Sequence, residues 1–397
     1  MINQQITLEQ AIAVIRGSLS DSGLLAAVVG QPTPAPVREE QEAPAGVDPS
    51  IRAVADRLVA VQLRTGAANA DTCAALQKCA DLIAEATGVT DIREMRQHHV
   101  VALCAMLDRL PPSYRKSASE REMTLEQIAA KAEAEGRSDG LAVGTVNRIL
   151  TNFSMLVKRA DDEGLQIHPK LKPTSLRRKR TKKSRADRLA FTQDHIKSIF
   201  QSPVWQGCQN VARRHRPGPN IIKDGLFWLP LVAAYTGARR EEIAGLDTKD
   251  LREVDGIWCL DIRENEHRGV KTDASTRLIP VHPHLLELGI LDLRKNDGLL
   301  FDDMYRKTAG GPLGECIAYN WRRVLEERLP SSDLPKRCFH SFRHSVIDLL
   351  EGMDDVRDRT IKAIIGHTPD SITSKVYGSE ATPAAMLKAI ERLPRVF

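Results

Sequence analysis

Four short motifs hold side chains that could act together on a phosphate. The first is Thr236-Gly237-Ala238-Arg239-Arg240-Glu241-Glu242. Gly237 breaks one helical pattern and a new helix opens at the arginine. A helix N-terminus favours phosphate, and an arginine there adds a bidentate fork. Glu242 stands three residues on, where its carboxylate can hold the guanidinium in place. Taken alone, the pair reads as a surface salt bridge. The second motif is Val270-Lys271-Thr272-Asp273-Ala274-Ser275-Thr276-Arg277. A lysine at a hairpin tip can swing into a cleft and deliver a proton, and a solvated turn lysine is the plainer reading. The third is Phe339-His340-Ser341-Phe342-Arg343-His344. On a helix, His340 and Arg343 share a face about one turn apart. That would set an acid/base group and a phosphate clamp around one atom. Phe342 and Val346 face the core, and His344 reads as a hydrogen-bonded structural histidine. A zinc reading of His340 with His344 lacks the glutamate of H-E-x-x-H. The fourth is Ile365-Gly366-His367, with Tyr377 ten residues later. Alone, that histidine reads as a cap and the tyrosine as packing.

The periodicity of the chain indicates which elements must hold these residues. Residues 7–29 carry short helical patterns, and residues 31–49, rich in Pro, Glu and Ala, read as a tether. Together, residues 1–49 form an N-terminal appendage. Residues 50–170 look all-helical. Ser50 caps a pattern of Ile51, Val54, Leu58, Val61 and Leu63. Further patterns run through Leu76, Cys79, Leu82 and Ile83, and through Val100, Leu103, Met106 and Leu107 as far as Pro111-Pro112. The last helix begins near Gly144-Thr145. Its apolar face is Val146, Ile149, Leu150, Phe153, Leu156 and Val157, and Asn147, Arg148, Asn152 and Lys158 lie opposite. Residues 191–397 form the second domain. Thr192 caps its first helix, and residues 226–235 make a buried one. Trp258, Leu260 and Ile262 alternate on a strand. Residues 270–272 and 277–281 flank an Asp-Ala-Ser turn as a hairpin. Helices follow to the end, the last with Pro383, Met386, Leu387, Ile390 and Leu393 on one side. The fold class is mainly α with a small antiparallel β-sheet, α+β.

Charge is distributed unevenly. The 397 residues carry 57 Lys and Arg against 52 Asp and Glu, a net charge of only +5. Residues 148–188 nevertheless hold thirteen basic residues against four acids. Eight of the twelve residues from 177 to 188 are basic, including Arg177, Arg178, Lys179, Arg180, Lys182 and Lys183. We read residues 171–190 as an interdomain linker. An extended, strongly positive linker suits the DNA backbone; a plain solvated linker or a localisation-like patch is the alternative. Residues 1–49 hold two arginines against six acids, which makes direct DNA contact there doubtful. The seven cysteines form no C-x-x-C pair, so a disulfide scaffold or zinc module is not expected. The N-terminus lacks a signal-peptide pattern and no apolar run is long enough to span a membrane. A soluble, cytoplasmic protein with reduced thiols is expected.

Taken in order, the four motifs resemble the tyrosine recombinase or phage integrase family. The resemblance covers about residues 140–380. The stretches FWLPLVAAYTGARREEIAGL (227–246), GIWCLDI (256–262) and RLIPVHPHL (277–285) look like one bacterial and phage subgroup. GTVNRILTNFSMLVKRADDEG (144–164) is similar, more loosely, to the end of the family's helical core-binding domain. The resemblance implies a helical core-DNA-binding domain (50–170) and a catalytic domain (191–397) that cut and rejoin DNA through a 3′-phosphotyrosine. Tyr377 would be the nucleophile. Arg239 and Arg343 would clamp the scissile phosphate, and Lys271 would be the general acid toward the leaving 5′-oxygen. His340 would assist proton transfer, His367 would hydrogen-bond the phosphate, and Glu242 would support the site. Thr145, Asn147, Arg148 and Lys158, with the basic linker residues, would contact DNA.

No cofactor, metal or ATP is implied. The implied partners are double-stranded DNA at specific sites, further copies of the chain (a tetramer in the synapse, a monomer when free), and accessory or directionality proteins; no membrane is implied. The implied setting is nucleoid-associated and bacterial or phage-encoded. The resemblance also implies a C-terminal tail that docks on a neighbouring protomer, with a helix folded back in cis as the alternative. Other readings stay open: a type IB-like topoisomerase acting as a monomer, a non-catalytic DNA-binding protein on the same fold, or a metal-dependent nuclease, for which the clustered acids are not seen.

Overall fold

A computed structural model describes residues 46–137, 139–179, 189–269, 276–295, 297–367 and 381–397. The chain divides into two compact units, Met1–Thr181 and Lys182–Phe397. Expectations for residues 1–45 lie outside the described residues.

The described part of the first unit is helical: α1 (Ile51–Thr65), α2 (Ala70–Thr87), α3 (Gln97–Arg109), the short α4 (Ala118–Arg121), α5 (Leu125–Ala134) and α6 (Val143–Asp162). Local chemistry sets their ends. The Ser50 hydroxyl accepts from the Ala53 amide, and Asn69 accepts from Thr72. Thr124 and Gln127 close a reciprocal capping box. Most apolar stripes converge on one core, in which Val54, Ile83, Leu103, Leu107, Leu150, Phe153 and Leu156 are fully buried, while Leu76 sits with Val59 and Cys73 in a smaller cluster. α6 carries six of its residues into that core, from Val146 to Ala160.

The first part of the segment read as a linker is packed. Residues 171–178 belong to the first unit. Leu171 and Pro173 are buried, and a 3-10 turn at Pro173–Leu176 packs on α6 and α3. The Asn147 side chain clasps the backbone of Arg178, accepting from its N–H at 2.8 Å and donating to its carbonyl at 2.9 Å. Three apolar residues scattered among lysines anchor the segment, and net charge hides them in the sequence.

The second unit contains α7 (Gln193–Phe200), α8 (Pro203–Gln206), α9 (Gly225–Thr236), α10 (Arg240–Ala244), β1 (Leu251–Val254), β2 (Ile257–Ile262), β3 (Arg277–Pro280), α11 (Pro283–Glu287), α12 (Ala318–Arg328), α13 (Ser341–Glu351), α14 (Asp358–Ile365) and α15 (Pro383–Ile390). Every residue of α9 is buried, so it is the central post of this core. The sheet order is β1-β2-β3, antiparallel throughout. β3 pairs with β2, Leu260 opposite Ile279. The expected hairpin arm at 270–272 lies outside the described residues. β2 does not alternate cleanly, because Cys259 and Asp261 are buried as well as Leu260 and Ile262. Asp261 is tolerated there because Arg252 and Arg263 both pair with it.

In this chain the C-terminal helix packs in cis on its own unit. α15 packs on β3 and α14 of its own unit, and Met386, Ala389, Ile390, Leu393 and Val396 are buried in the same core. The amide of Val396 donates to the Tyr235 hydroxyl at 3.0 Å. His282 Nδ1 accepts from the His284 amide, so its proton sits on Nε2, which meets the Leu393 carbonyl at 3.2 Å. Among the described residues, no helix is long and apolar enough to cross a membrane.

Candidate functional site

Two helix ends and the face of a third helix meet at Gly237. α9 stops there in the left-handed region, at φ 62°. A Cβ on Gly237 would lie 2.7 Å from Ile365 Cδ1 and 3.4 Å from Val346 Cβ. Glycine therefore allows both the turn and the close approach of α13 and α14. α13 carries Arg343, which is buried and donates from Nη1 to the Gly237 carbonyl at 3.0 Å.

Arg239 is the N-cap of α10, the next helix after that turn. Its amide donates to Glu242 Oε2 at 2.9 Å and its guanidinium to Glu242 Oε1 at 2.5 Å. Glu242 has a second guanidinium partner: Arg277, at the head of β3, donates from Nη2 at 2.9 Å. Arg277 Nε donates to the Ile364 carbonyl at 2.9 Å. Gly366, at φ 75°, leaves room for it, since a Cβ there would sit 2.8 Å from Arg277 Nη1. Arg277 thus ties the sheet to α10 and to the end of α14, where His367 follows.

These contacts fix the charge states. Burial alone would raise the Glu242 carboxyl; Arg277, then the amide and guanidinium of Arg239, outweigh it and hold it at about 2. Arg343 is pulled down to about 9, first by burial and then by Arg239 and Arg277. Its Nη2 is buried and has no hydrogen-bond partner among the described residues. Partial burial, then Arg343, Arg239, Arg277 and Lys362, lower the His367 imidazole below the usual histidine value. The result is a pocket of three arginines and a neutral-leaning histidine around one carboxylate, short of negative charge.

Arg239, Glu242, Arg343 and His367 are brought together. His340 is the N-cap of α13, not a residue within it, and its ring meets His344 edge-on at 5.2 Å between centroids. Lys271 and Tyr377 lie outside the described residues. Arg277 was quoted in the lysine motif without a role. One signal could have found it: it shares a strand face with buried Ile279, two residues on, so its charge points inward.

The residues expected to touch DNA are mixed in placement. Asn147 is spent on the Arg178 backbone, Arg178 pairs with Asp108 at 2.5 Å, and Lys158 pairs with Asp162 at 2.9 Å. Thr145 is half-buried in the first turn of α6, while Arg148, Arg177 and Lys179 are exposed. Arg180, Lys182 and Lys183 lie outside the described residues.

No family model matches this sequence, and no curated protein matches it. Solved structures do. A lambda integrase tetramer bound to a Holliday junction matches with a TM-score of 0.51 at 15% identity, over 93% of this chain and 90% of that one. The fold is that of lambda integrase. A lambda integrase dimer bound to a COC′ core site matches with a TM-score of 0.50 at 14% identity, over 93% and 87% of the two chains. At such identity lambda integrase shares the architecture, and the chemistry has to be argued from the residues of this chain.

Proposed function

We propose that this chain is a site-specific DNA recombinase of the tyrosine type, breaking and rejoining strands through a 3′-phosphotyrosine at Tyr377. The observation that carries the reading is the Arg343 guanidinium: buried, beside Arg239, with Nη2 unpartnered among the described residues. A buried, under-satisfied cation calls for an anion. The order of the motifs makes a phosphodiester the anion of choice.

In the proposed reaction the Tyr377 oxygen attacks phosphorus and the bond to the 5′-oxygen breaks. Arg239 and Arg343 bind the non-bridging oxygens, where negative charge grows during attack. Glu242 holds the Arg239 fork in position. His367 hydrogen-bonds the same phosphate. His340 assists proton transfer from the tyrosine, and Lys271 gives a proton to the leaving 5′-oxygen. The phosphotyrosine keeps the energy of the ester, so a second 5′-hydroxyl can reverse the step without ATP. The charge needed comes from side chains, so the chemistry calls for no metal.

The first unit and the basic segment beyond it would grip double-stranded DNA. Lambda integrase, on the same fold, binds a Holliday junction as a tetramer and a core site as a dimer. That supports DNA as partner and four copies at a synapse. Accessory proteins that set direction and a place in the bacterial nucleoid belong to the same proposed reading.

The deciding experiment uses nicked suicide DNA carrying the sequences that flank the coding region, in EDTA. A covalent protein–DNA adduct should form and should vanish in Tyr377→Phe. An adduct that persists in Tyr377→Phe, or none on any flanking site, overturns the proposal.

A further inference from the structure

We propose that Asp247, Glu266 and His267 form a binding site for a divalent transition cation of the zinc class, separate from the phosphate pocket. The three residues come from two tightly held turns. Asp247 is the buried N-cap of the 3-10 turn Thr248–Asp250, where its Oδ1 accepts from the Lys249 amide at 2.9 Å. Its Oδ2 faces His267 Nε2 at 3.4 Å. Glu266 and His267 form the tip of a turn between Asn265 and Arg268, which bond each other's backbone in both directions.

That turn is rigidly seated. Asn265 Oδ1 accepts from the amides of His267 and Arg268, and its Nδ2 donates to the Gly245 carbonyl and to Asp250. The buried Arg268 guanidinium donates to Glu242 and Asp261 carbonyls and to the Asp250 carboxylate. Arg306 donates to the His267 carbonyl at 2.6 Å. The backbone that carries Glu266 and His267, and the Asp247 carboxylate, are therefore held in place before any ion arrives.

The spacing suits a metal better than a hydrogen bond. His267 Nε2 is buried and makes no hydrogen bond among the described residues. It stands 3.4 Å from Asp247 Oδ2 and 3.7 Å from Glu266 Oε1. Two ligands about 2.1 Å from a tetrahedral zinc are about 3.4 Å apart, the edge of the coordination polyhedron. The one ligand atom offered by each residue lies within 4.8 Å of the other two. One imidazole with two carboxylates suits zinc, cobalt or manganese, with water completing the shell.

The surrounding charge does not favour an anion instead. Asp247, Asp250 and Glu266 line an open cavity of about 560 Å³ with Lys249, Arg252 and Arg263. Arg252 and Arg263 are both taken up by Asp261, and Asp250 by Arg268. That leaves Lys249 as the one lining cation without an ion pair among the described residues, and Asp247 and Glu266 facing the imidazole. A bound ion would cross-link the chain after α10 to the connection between β2 and β3.

The test uses the full-length chain after dialysis against a chelator. Zinc and cobalt are titrated by calorimetry, and the thermal midpoint is followed with and without zinc. Wild-type protein should take up one tight equivalent and melt higher with zinc, since a ligand of the folded state stabilises it. Glu266→Gln with His267→Ala should weaken binding at least tenfold and remove the thermal shift. His344→Ala should change neither. Glu266 is exposed, so Glu266→Gln alone remains informative if the double variant fails to fold, and should bind several-fold more weakly. Wild-type protein that binds no equivalent, or affinity unchanged in these variants, overturns the assignment.

Discussion

Arg343 donates to the carbonyl of Gly237 across 3.0 Å, and this bond joins the third motif of the sequence to the first. The carbonyl takes Nη1 and leaves Nη2 buried and unpartnered among the described residues. Arg343→Lys should fold, because Lys can still reach a carbonyl, but it cannot offer a planar fork. We expect the suicide-substrate adduct to form about 100-fold more slowly or worse, with DNA affinity little changed. A Lys variant that cleaves at the wild-type rate would remove Arg343 from the mechanism.

Gly237→Ala addresses the joint itself. Alanine would be strained at φ 62° and would collide with Ile365. Together these effects should cost about 2–4 kcal/mol of the second unit's stability. Urea denaturation measures it, and an unchanged midpoint would mean the helix ends have room to part.

The Glu242 carboxyl gives the fold an acid limit. Its ordinary value of 4.5 falls to about 2 in the folded chain. The folded state thus binds the proton more weakly than the unfolded state. The resulting stability is complete above about pH 4.5 and is lost as pH falls toward 2, on the order of 3 kcal/mol in all. Glu242→Gln should be less stable at neutral pH and should show a flatter loss between pH 4.5 and 2. Equal slopes for the two proteins would rule out this linkage.

His282 should loosen the C-terminal segment at milder acidity. Burial lowers its imidazole from 6.5 to about 4. A depressed value again means stability present above pH 6.5 and lost as pH falls through 4. Hydrogen exchange at the Val396 amide, which bonds Tyr235, should quicken over that window. In His282→Gln the exchange should vary less with pH.

DNA binding offers a separate test, on the first unit. Arg148→Ala and Arg177→Ala change exposed cations, and each should reduce the salt slope of binding by about 0.9 if it meets a phosphate. Asn147→Ala removes no charge. It should weaken binding by freeing the backbone of Arg178, with the slope unaltered. Wild-type affinity in Asn147→Ala would mean that the clasp on Arg178 does not serve DNA binding.

The helices were legible because their apolar residues recur at helical spacing and their caps are local. Ser50, Thr192 and the wholly apolar run in α9 are examples. The conjunction of Arg239, Arg343 and His367 could be anticipated from motif order, but the reason they meet could not. It depends on Gly237 and Gly366, whose missing side chains make room for Ile365 and Arg277. Arg277 itself stayed hidden because an inward-facing arginine at a strand head looks like any surface charge until its partners, Glu242 and the Ile364 carbonyl, come near. The packed segment at 171–178 was obscured for the opposite reason: its charge outweighed the three apolar residues that hold it.

The burial of α9 bears on how the protein is made. Tyr235, near the end of that helix, is covered partly by Val396, 161 residues further along the chain. At a translation rate of about 5–20 residues per second, roughly 8–30 seconds pass between the synthesis of the two. Throughout that interval the ribosome holds an apolar post without its last cover. The nascent second unit is therefore a natural client for chaperones, and fragments that stop short of α15 should collect in inclusion bodies even where the whole chain is soluble.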